Sequence, residues 1–121
     1  MWTVEYTVEF GFWWDDLSSD AQERVTAAVE LLERHGPSLG RPIVDTLEGS
    51  RHPNMKELRP LGGHIRVLFA FDPRRAAILL FGGDKSGQWS AWYEQAIPTA
   101  DRLYDRHLRT IANEGLSDDS E

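Results

Sequence analysis

The sequence predicts an α+β fold in which helices pack on one face of a small, twisted and mainly antiparallel sheet. Residues 2–10 alternate apolar and polar side chains, which is the period of a half-buried strand. Residues 19–35 carry apolar side chains at helical spacing, with polar residues on the other face. Three more strand segments and a last helical stripe follow, an order typical of layered α+β domains.

The chain has 121 residues and no cysteine. Its length fits a single domain over residues 1–113, and the acidic, polar segment 114–121 is expected to be a disordered tail. The lack of cysteine excludes disulfides, thiolate zinc sites and a cysteine nucleophile. We see no apolar run of about 20 residues and no secretory signal pattern, so we expect a cytoplasmic protein.

The first helix has clear sequence boundaries. Ser19 and Gln22 have capping-box spacing, and the Gly36-Pro37 pair is typical of a helix end. Residues 38–54 are rich in glycine, proline, serine and asparagine, which indicates a connector. Within it, residues 43–47 could form a short helical turn.

Three strands are predicted in the second half of the chain. Residues 55–59 form a short strand, 65–71 a strong one, and 76–81 a third that is apolar on both faces and therefore belongs inside the sheet. Turns at 60–63 and 72–75 separate them.

The last helix is predicted to start near Trp89 or Ser90, after a flexible loop at 82–87. Pro98 either kinks this helix or opens a second one at its first turn. An apolar stripe at helical spacing then follows, made of Ala100, Leu103, Tyr104, His107, Leu108 and Ile111.

The net charge of −7 is distributed unevenly. Residues 1–50 have a balance of −7, residues 51–93 of +4 and residues 94–121 of −4. A local field matters more to a bound anion than the total charge does. The basic middle of the chain can therefore hold an anion, although a mixed-charge surface with an acidic tail explains the same composition.

The common catalytic motifs are missing from the sequence. The four histidines are far apart, with no two at ligand spacing near a third ligand, so we predict neither metal nor cofactor. No nucleophile elbow is present. The Gly82–Ser86 segment has glycines before a lysine and a serine, but it lacks the spacing of a phosphate-binding loop.

The remaining candidates are basic residues near predicted strand ends. Lys56, Arg66 and Lys85 can converge on one surface of a three-stranded meander, and Trp92 and Tyr93 follow soon after. Cations beside aromatic rings suit single-stranded RNA, since the cations bind phosphates and the rings stack on bases. Such cations also suffice for metal-free cleavage, in which the RNA 2′-hydroxyl attacks and side chains stabilise the developing charge.

Several of these segments together resemble the phage-derived, HigB-like branch of the RelE/ParE toxin superfamily over about residues 2–110. The segments are Met55-Lys56-Glu57-Leu58-Arg59, Arg66-Val67-Leu68-Phe69-Ala70-Phe71-Asp72, Gly82-Gly83-Asp84-Lys85 and Trp92-Tyr93. The resemblance implies a toxin that cleaves translated messenger RNA, usually at the ribosome. It also implies a cognate antitoxin, commonly a helix-turn-helix protein encoded by a neighbouring gene.

The resemblance also implies roles for individual residues. Arg66 matches an arginine that contacts the scissile phosphate, Lys56 a lysine on the preceding strand, Lys85 a basic position after the last strand, and Tyr93 a tyrosine that orients the nucleotide. We assign these four residues to catalysis and leave the general base unassigned. RNA contacts are assigned to Arg59, Trp92 and Arg74. The alternatives are an ion pair with Glu57 or with an acid of the first helix for Arg59, a solvated strand-end charge for Arg66, a plain loop position for Lys85 and a core position for Trp92.

The sequence departs from the family pattern in its acidic net charge and in lacking the histidine-rich chemistry of some HigB proteins. An alternative function is therefore a toxin of the same fold that binds and inhibits a protein such as DNA gyrase without catalysis. An attenuated prophage remnant is a third possibility. The basic residues favour the nuclease, and the acidic total favours the binder.

Overall fold

The computed structural model describes residues 1–87 and 89–119 of the chain. These residues form five strands and three α-helices, with one short 3₁₀ turn at Gly36–Ser38. In chain order the elements are β1 (Val4–Tyr6), α1 (Val8–Asp15), α2 (Ser19–His35), β2 (Val44–Thr46), β3 (Lys56–Leu58), β4 (Ile65–Phe71), β5 (Ala77–Asp84) and α3 (Trp89–Asp119).

The five strands form one sheet in the order β1-β5-β4-β3-β2. Strand β1 runs parallel to β5, and the other pairs described are antiparallel, which confirms the mainly antiparallel α+β sheet. Strand β5 lies between β1 and β4, as its two apolar faces predict. The β4–β5 ladder shifts register once, between Leu68 and Phe69.

Helices cover both faces of the sheet, so the prediction that they pack on one face is wrong. Helices α1 and α2 pack against one face, where Phe10, Val25 and Leu32 join a core with Val67 and Phe69 of β4. Helix α3 packs on the other face, with a core that includes Leu68, Ile78, Leu80, Ala100 and Leu103. The physical reason is that β4 and β5 are apolar on both faces, and each face must be buried.

The predicted strand over residues 2–10 is correct only for its middle, because a helix begins at Val8. Thr7 is the N-cap of α1: its hydroxyl accepts a hydrogen bond from the Phe10 amide at 3.0 Å. Helix α2 spans the predicted residues, but its N-cap is Ser18 rather than Ser19, since the Ser18 hydroxyl accepts from the Ala21 amide.

The connector contains a strand, β2, where the sequence allowed a short helical turn at residues 43–47. Val44–Thr46 pairs with β3, and Val44 is buried opposite Leu58. Branched side chains at Val44 and Thr46 favour an extended backbone.

The predicted loop at 82–87 begins too early, because β5 continues through Gly82, Gly83 and Asp84. Both glycines permit close packing. A Cβ on Gly82 would lie 2.4 Å from Trp13, and a Cβ on Gly83 would lie 2.3 Å from Trp92. At this point Trp13 of α1 and Trp92 of α3 therefore pack directly against the backbone of β5, one from each side of the sheet.

Helix α3 is continuous through Pro98, so no second helix opens there. It also includes residues 114–119, which differs from the expected disordered tail. Once a helix exists, each added residue gains a backbone hydrogen bond, so extension costs little. The rest of that predicted tail, residues 120–121, lies outside the described residues. No helix formed by the described residues combines the length and apolarity that a membrane crossing requires.

Candidate nucleic-acid interface

A buried carboxylate, Glu57 of β3, organises the basic residues on the α3 face of the sheet. The residue is 2% exposed and lies opposite Leu68 of β4. The Tyr93 hydroxyl of α3 donates a hydrogen bond to Oε1. Arg59 Nε donates to Oε2 at 3.1 Å, and Arg66 Nε lies 3.5 Å from Oε1. One carboxylate thus connects an arginine that follows β3, an arginine of β4 and a tyrosine of α3.

Arg66 is held near the start of β4, opposite Gly83 of β5. Its side chain is only 13% exposed, and Nη1 donates to the Ile65 carbonyl at 2.8 Å. The buried Nε makes no hydrogen bond with the residues that the structure describes. The guanidinium is therefore fixed in place by burial and ion pairing, with little of its hydrogen-bonding capacity used.

Lys85 follows β5 directly, and its backbone amide donates to the His64 carbonyl at 3.0 Å. The residue is buried, and Nζ lies 5.7 Å from the centre of the Tyr93 ring, within cation–π range. Burial lowers the pKa of Lys85, and the nearby Arg66 charge lowers it further. Such an ammonium gives up its proton more readily than an exposed lysine does.

Tyr93 is a hydrogen-bond donor in this arrangement. Burial raises the pKa of Tyr93 to about 12, with the hydrogen bond to Glu57 as a further cause. The phenol therefore stays protonated at neutral pH. The neighbouring Trp92 contacts the Tyr93 ring edge-on, with centroids 5.0 Å apart, and stacks on Phe81 at 6.5 Å. Trp92 is partly buried against the α3-side core, which agrees with its alternative core role.

The charges in this basic cluster do not balance. Arg59 and Arg66 pair with Glu57, and Asp45 pairs with Arg59 at 3.4 Å and with Arg41 at 3.1 Å. Within the described residues, three arginines therefore meet two carboxylates. The excess positive charge at a partly buried position favours binding of an anion, because a low local dielectric strengthens the attraction.

Two predicted residues lie elsewhere. Lys56 precedes Glu57 in β3, and alternation along the strand places it on the α2 face, opposite Phe69. The expected convergence of Lys56 with Arg66 and Lys85 is therefore wrong. Arg74 lies beyond the other end of β4, in the turn before β5, where it pairs with Asp72 and Glu5. The structure brings together Arg59, Arg66, Lys85, Trp92 and Tyr93.

Sequence reasoning missed Glu57 as the organising residue. Its one available signal was an acidic residue inside a predicted strand, between Lys56 and Leu58, where burial of a charge needs partners. It also missed Asp72, whose carboxylate is fully buried. Asp72 Oδ1 accepts from the amides of Arg74 and Ala76, and Oδ2 accepts from Arg74 Nε and lies 2.8 Å from His107 Nε2.

Among residues 1–87 and 89–119, no group of three His, Asp or Glu side chains is arranged to hold a metal ion. The chemistry open to the cluster is that of guanidinium, ammonium, phenol and carboxylate groups. These can bind an oxyanion, stabilise charge on it and move a proton.

Comparison with known proteins assigns the chain to a family. Residues 12–105 match the family described as phage derived protein Gp49-like. HigB3 of Mycobacterium tuberculosis strain H37Rv, whose name marks it as a candidate toxin, is 58% identical over 96 residues, covering 79% of this chain and 84% of HigB3. HigB2 of the same strain, named in the same way, is 47% identical over 110 residues, which are 88% of this chain and 54% of HigB2. The chain thus spans about half the length of HigB2.

A solved structure shares the fold at low sequence identity. In the archaeal RelE–RelB complex from Pyrococcus horikoshii OT3, the matching chain has a TM-score of 0.57 and 17% identity, covering 71% of this chain and 97% of that one. At this identity the similarity demonstrates a shared fold, and the family follows from the sequence matches.

Proposed function

The chain belongs to the Gp49-like family and is similar to HigB toxins, and from this premise we propose that it is a toxin of the RelE superfamily that arrests growth as an endoribonuclease. The proposed substrate is translated messenger RNA, cleaved without a metal ion. The observation that carries the proposal is the convergence of Arg59 and Arg66 on the single carboxylate of Glu57, with Lys85 held over the ring of Tyr93.

In the proposed mechanism the RNA 2′-hydroxyl loses its proton to solvent as its oxygen attacks the adjacent phosphorus. The bond from phosphorus to the 5′-oxygen breaks, and a 2′,3′-cyclic phosphate is left on the upstream fragment. Arg66 binds the non-bridging oxygens as their negative charge grows, since a guanidinium offers two parallel donors to such an oxyanion. Lys85 donates a proton to the leaving 5′-oxygen, a role that its lowered pKa favours. Tyr93 stays protonated and orients the nucleotide, and Glu57 positions Arg66 and Tyr93.

The proposed partners follow from the family. A cognate antitoxin encoded by a neighbouring gene would oppose the toxin, in line with the RelE–RelB complex of the archaeal neighbour. The messenger would be reached at the ribosome, which places the proposed activity in the cytoplasm. Arg59 and Trp92 border the cluster and are the proposed further RNA contacts, whereas Lys56 and Arg74 lie outside the proposed site.

The test is cleavage by an Arg66→Ala variant, compared with Arg102→Ala as the matched control. Arg102 is an exposed arginine of α3 outside the cluster. Loss of one well-placed charge donor costs roughly 2.7–4 kcal/mol of transition-state stabilisation, so cleavage by Arg66→Ala should fall about a hundred- to a thousandfold. Arg66→Lys should restore only part of it, because lysine keeps the charge but not the two-pronged geometry.

Primer extension on a translated messenger, with purified ribosomes and at equal melting temperature, measures this effect. Arg102→Ala should cleave at the wild-type rate, and a chelator should leave wild-type cleavage unchanged. Normal cleavage by Arg66→Ala would place the active site elsewhere. Absence of wild-type cleavage together with inhibition of gyrase supercoiling would favour the non-catalytic toxin instead.

A further inference from the structure

An apolar groove lies between β1, α1 and α2, away from the basic cluster. Its volume is about 720 Å³, and its lining includes Phe10, Trp14, Val29 and Leu79. Three apolar side chains at the groove remain mostly exposed: Tyr6 at 67%, Val8 at 67% and Phe12 at 69%. Exposed apolar side chains grouped along a concave surface are typical of an interaction site.

The groove runs beside an open sheet edge. Strand β1 is the outermost strand next to β5. The Thr3 carbonyl accepts from the Ala77 amide, and the Thr7 amide donates to the Leu79 carbonyl. Because backbone groups alternate in direction along a strand, the amides and carbonyls of Val4 and Tyr6 point away from β5. An extended peptide can therefore pair with this edge while alternate side chains enter the groove.

Acidic side chains border the groove. Asp15, Glu30 and Glu33 line it, and within the described residues none of the three forms an ion pair. Residues 1–50 of the chain carry a balance of −7, and residues 94–121 one of −4. A second copy that docked through the same groove would bring the same acidic surface, and the acidic segment 94–121 of this chain is also mismatched in charge. Charge complementarity selects a basic occupant.

We propose that this groove docks an extended segment of the cognate antitoxin that is basic and carries apolar anchor residues. The segment adds a strand to β1, inserts its apolar side chains between α1 and α2, and places basic side chains against Glu30 and Glu33. The inference rests on the proposed antitoxin partner but not on the nuclease activity.

A segment bound in this groove would not cover the basic cluster. The groove lies on the α1/α2 side, whereas Glu57 and Arg66 face α3 across the sheet. Substitutions in the groove should therefore weaken antitoxin binding without changing cleavage by the isolated toxin. This separation allows the docking surface and the active site to be tested independently.

The experiment uses the full chain and the purified protein encoded by the reading frame next to its gene. Phe12→Ala and the double variant Glu30→Lys/Glu33→Lys should each weaken binding by about tenfold or more in calorimetry. Glu23→Lys is the matched control: it reverses one exposed charge of α2 that does not line the groove, and binding should stay at the wild-type level. The double variant's effect should shrink at high salt.

Amide hydrogen exchange gives a second measurement. Exchange at Val4 and Tyr6 should slow when the partner binds, since the added strand would take up their outward backbone groups. Wild-type affinity of all groove variants, no complex at all, or unchanged exchange at β1 would overturn the proposal. Loss of self-association by the variants in ultracentrifugation would identify a second copy as the occupant and would also overturn it. A wild-type protein that binds in this pattern but cleaves no RNA would overturn the nuclease and leave the docking surface standing.

Discussion

Two buried carboxylates lie near the two ends of strand β4, and they are surrounded by arginine in different ways. Asp72, just after the strand, accepts hydrogen bonds from two turn amides and from Arg74, and Glu5 pairs with the same arginine. Glu57, facing Arg66 near the start of the strand, accepts from no backbone amide within the described part of the chain and instead meets two arginines and Tyr93, with Lys85 close by.

The difference lies in the charge balance and in what fixes each group. Around Asp72, two carboxylates meet one arginine, which leaves no excess positive charge, and the contacts join the β4–β5 turn to α3 and β1. Around Glu57 and Asp45, three arginines of the described residues meet two carboxylates, which leaves positive charge for a ligand. A carboxylate cluster without excess positive charge stabilises the fold, whereas one with excess positive charge can bind an anion.

The strongest test of this comparison is Asp72→Asn, which should reduce stability and spare activity. The change removes a buried charge that accepts hydrogen bonds from Arg74 and from two turn amides, and a hydrogen bond to a charged group contributes about 1.5–3 kcal/mol, while Arg74 keeps its ion pair with Glu5. Chemical denaturation should show this loss at neutral pH, while cleavage per folded molecule stays at the wild-type level. A large loss of cleavage at equal folded fraction would show that the two clusters are not distinct in function.

The same variant has a pH dependence with a definite sign. Burial raises the pKa of Asp72, but hydrogen bonds from His107 and Arg74 outweigh it and hold the pKa below the usual value. A carboxyl with a depressed folded pKa stabilises the protein above its unfolded pKa of about 4, and that contribution is lost as pH falls through the folded pKa. The stability gap between wild type and Asp72→Asn should therefore shrink in acid.

Glu57→Gln sharpens the comparison from the other side. The amide keeps the shape of the side chain but presents an NH₂ group where a carboxylate oxygen had faced an arginine, so Arg66 should lose its fixed position. Cleavage should fall about tenfold, which corresponds to about 1.4 kcal/mol. The matched control is Asp105→Asn, an acid-to-amide change at a carboxylate of α3 that pairs with Arg51 and His52. Equal losses in the two variants would indicate a general effect on α3 docking.

The smallest expected effect concerns the pH profile of Lys85→Arg. If Lys85 acts as a protonated group, cleavage should decline as pH rises through its lowered pKa, and it should do so earlier than for an ordinary lysine. Arginine stays protonated across this range, so the variant's profile should lose that decline, though its activity at neutral pH is reduced by the altered geometry. Superimposable profiles of wild type and variant would remove Lys85 from the proton transfer.

Local signals made much of the fold predictable. Helix α2 was predictable because its period and its end at Gly36 are written in adjacent residues. Helix α1 was missed because residues 8–14 are almost continuously apolar, and the alternation ahead of them extends through the same positions. Only the Thr7 cap, which a sequence shows weakly, determines where the strand stops.

The candidate site was predictable where turns bring strand ends together, as for Arg66 and Lys85. It was not predictable for Lys56, because side chains alternate between the two faces of the sheet and β3 has only three residues. So short a strand does not show from its sequence which residues face α3. The role of Glu57 depends on Tyr93, which lies 36 residues further along the chain, and no local pattern reports such a contact.

The paired glycines of β5 restrict the order in which this sequence can change. Any side chain at Gly83 collides with Trp92, and any at Gly82 collides with Trp13. A lineage can therefore enlarge either position only after the facing tryptophan has been replaced by a smaller residue, and the intermediate carries a cavity that itself reduces stability. Trp13 and Trp92 are on opposite sides of the sheet, so the two pairs of substitutions are independent of each other. In each pair the tryptophan must change before the glycine.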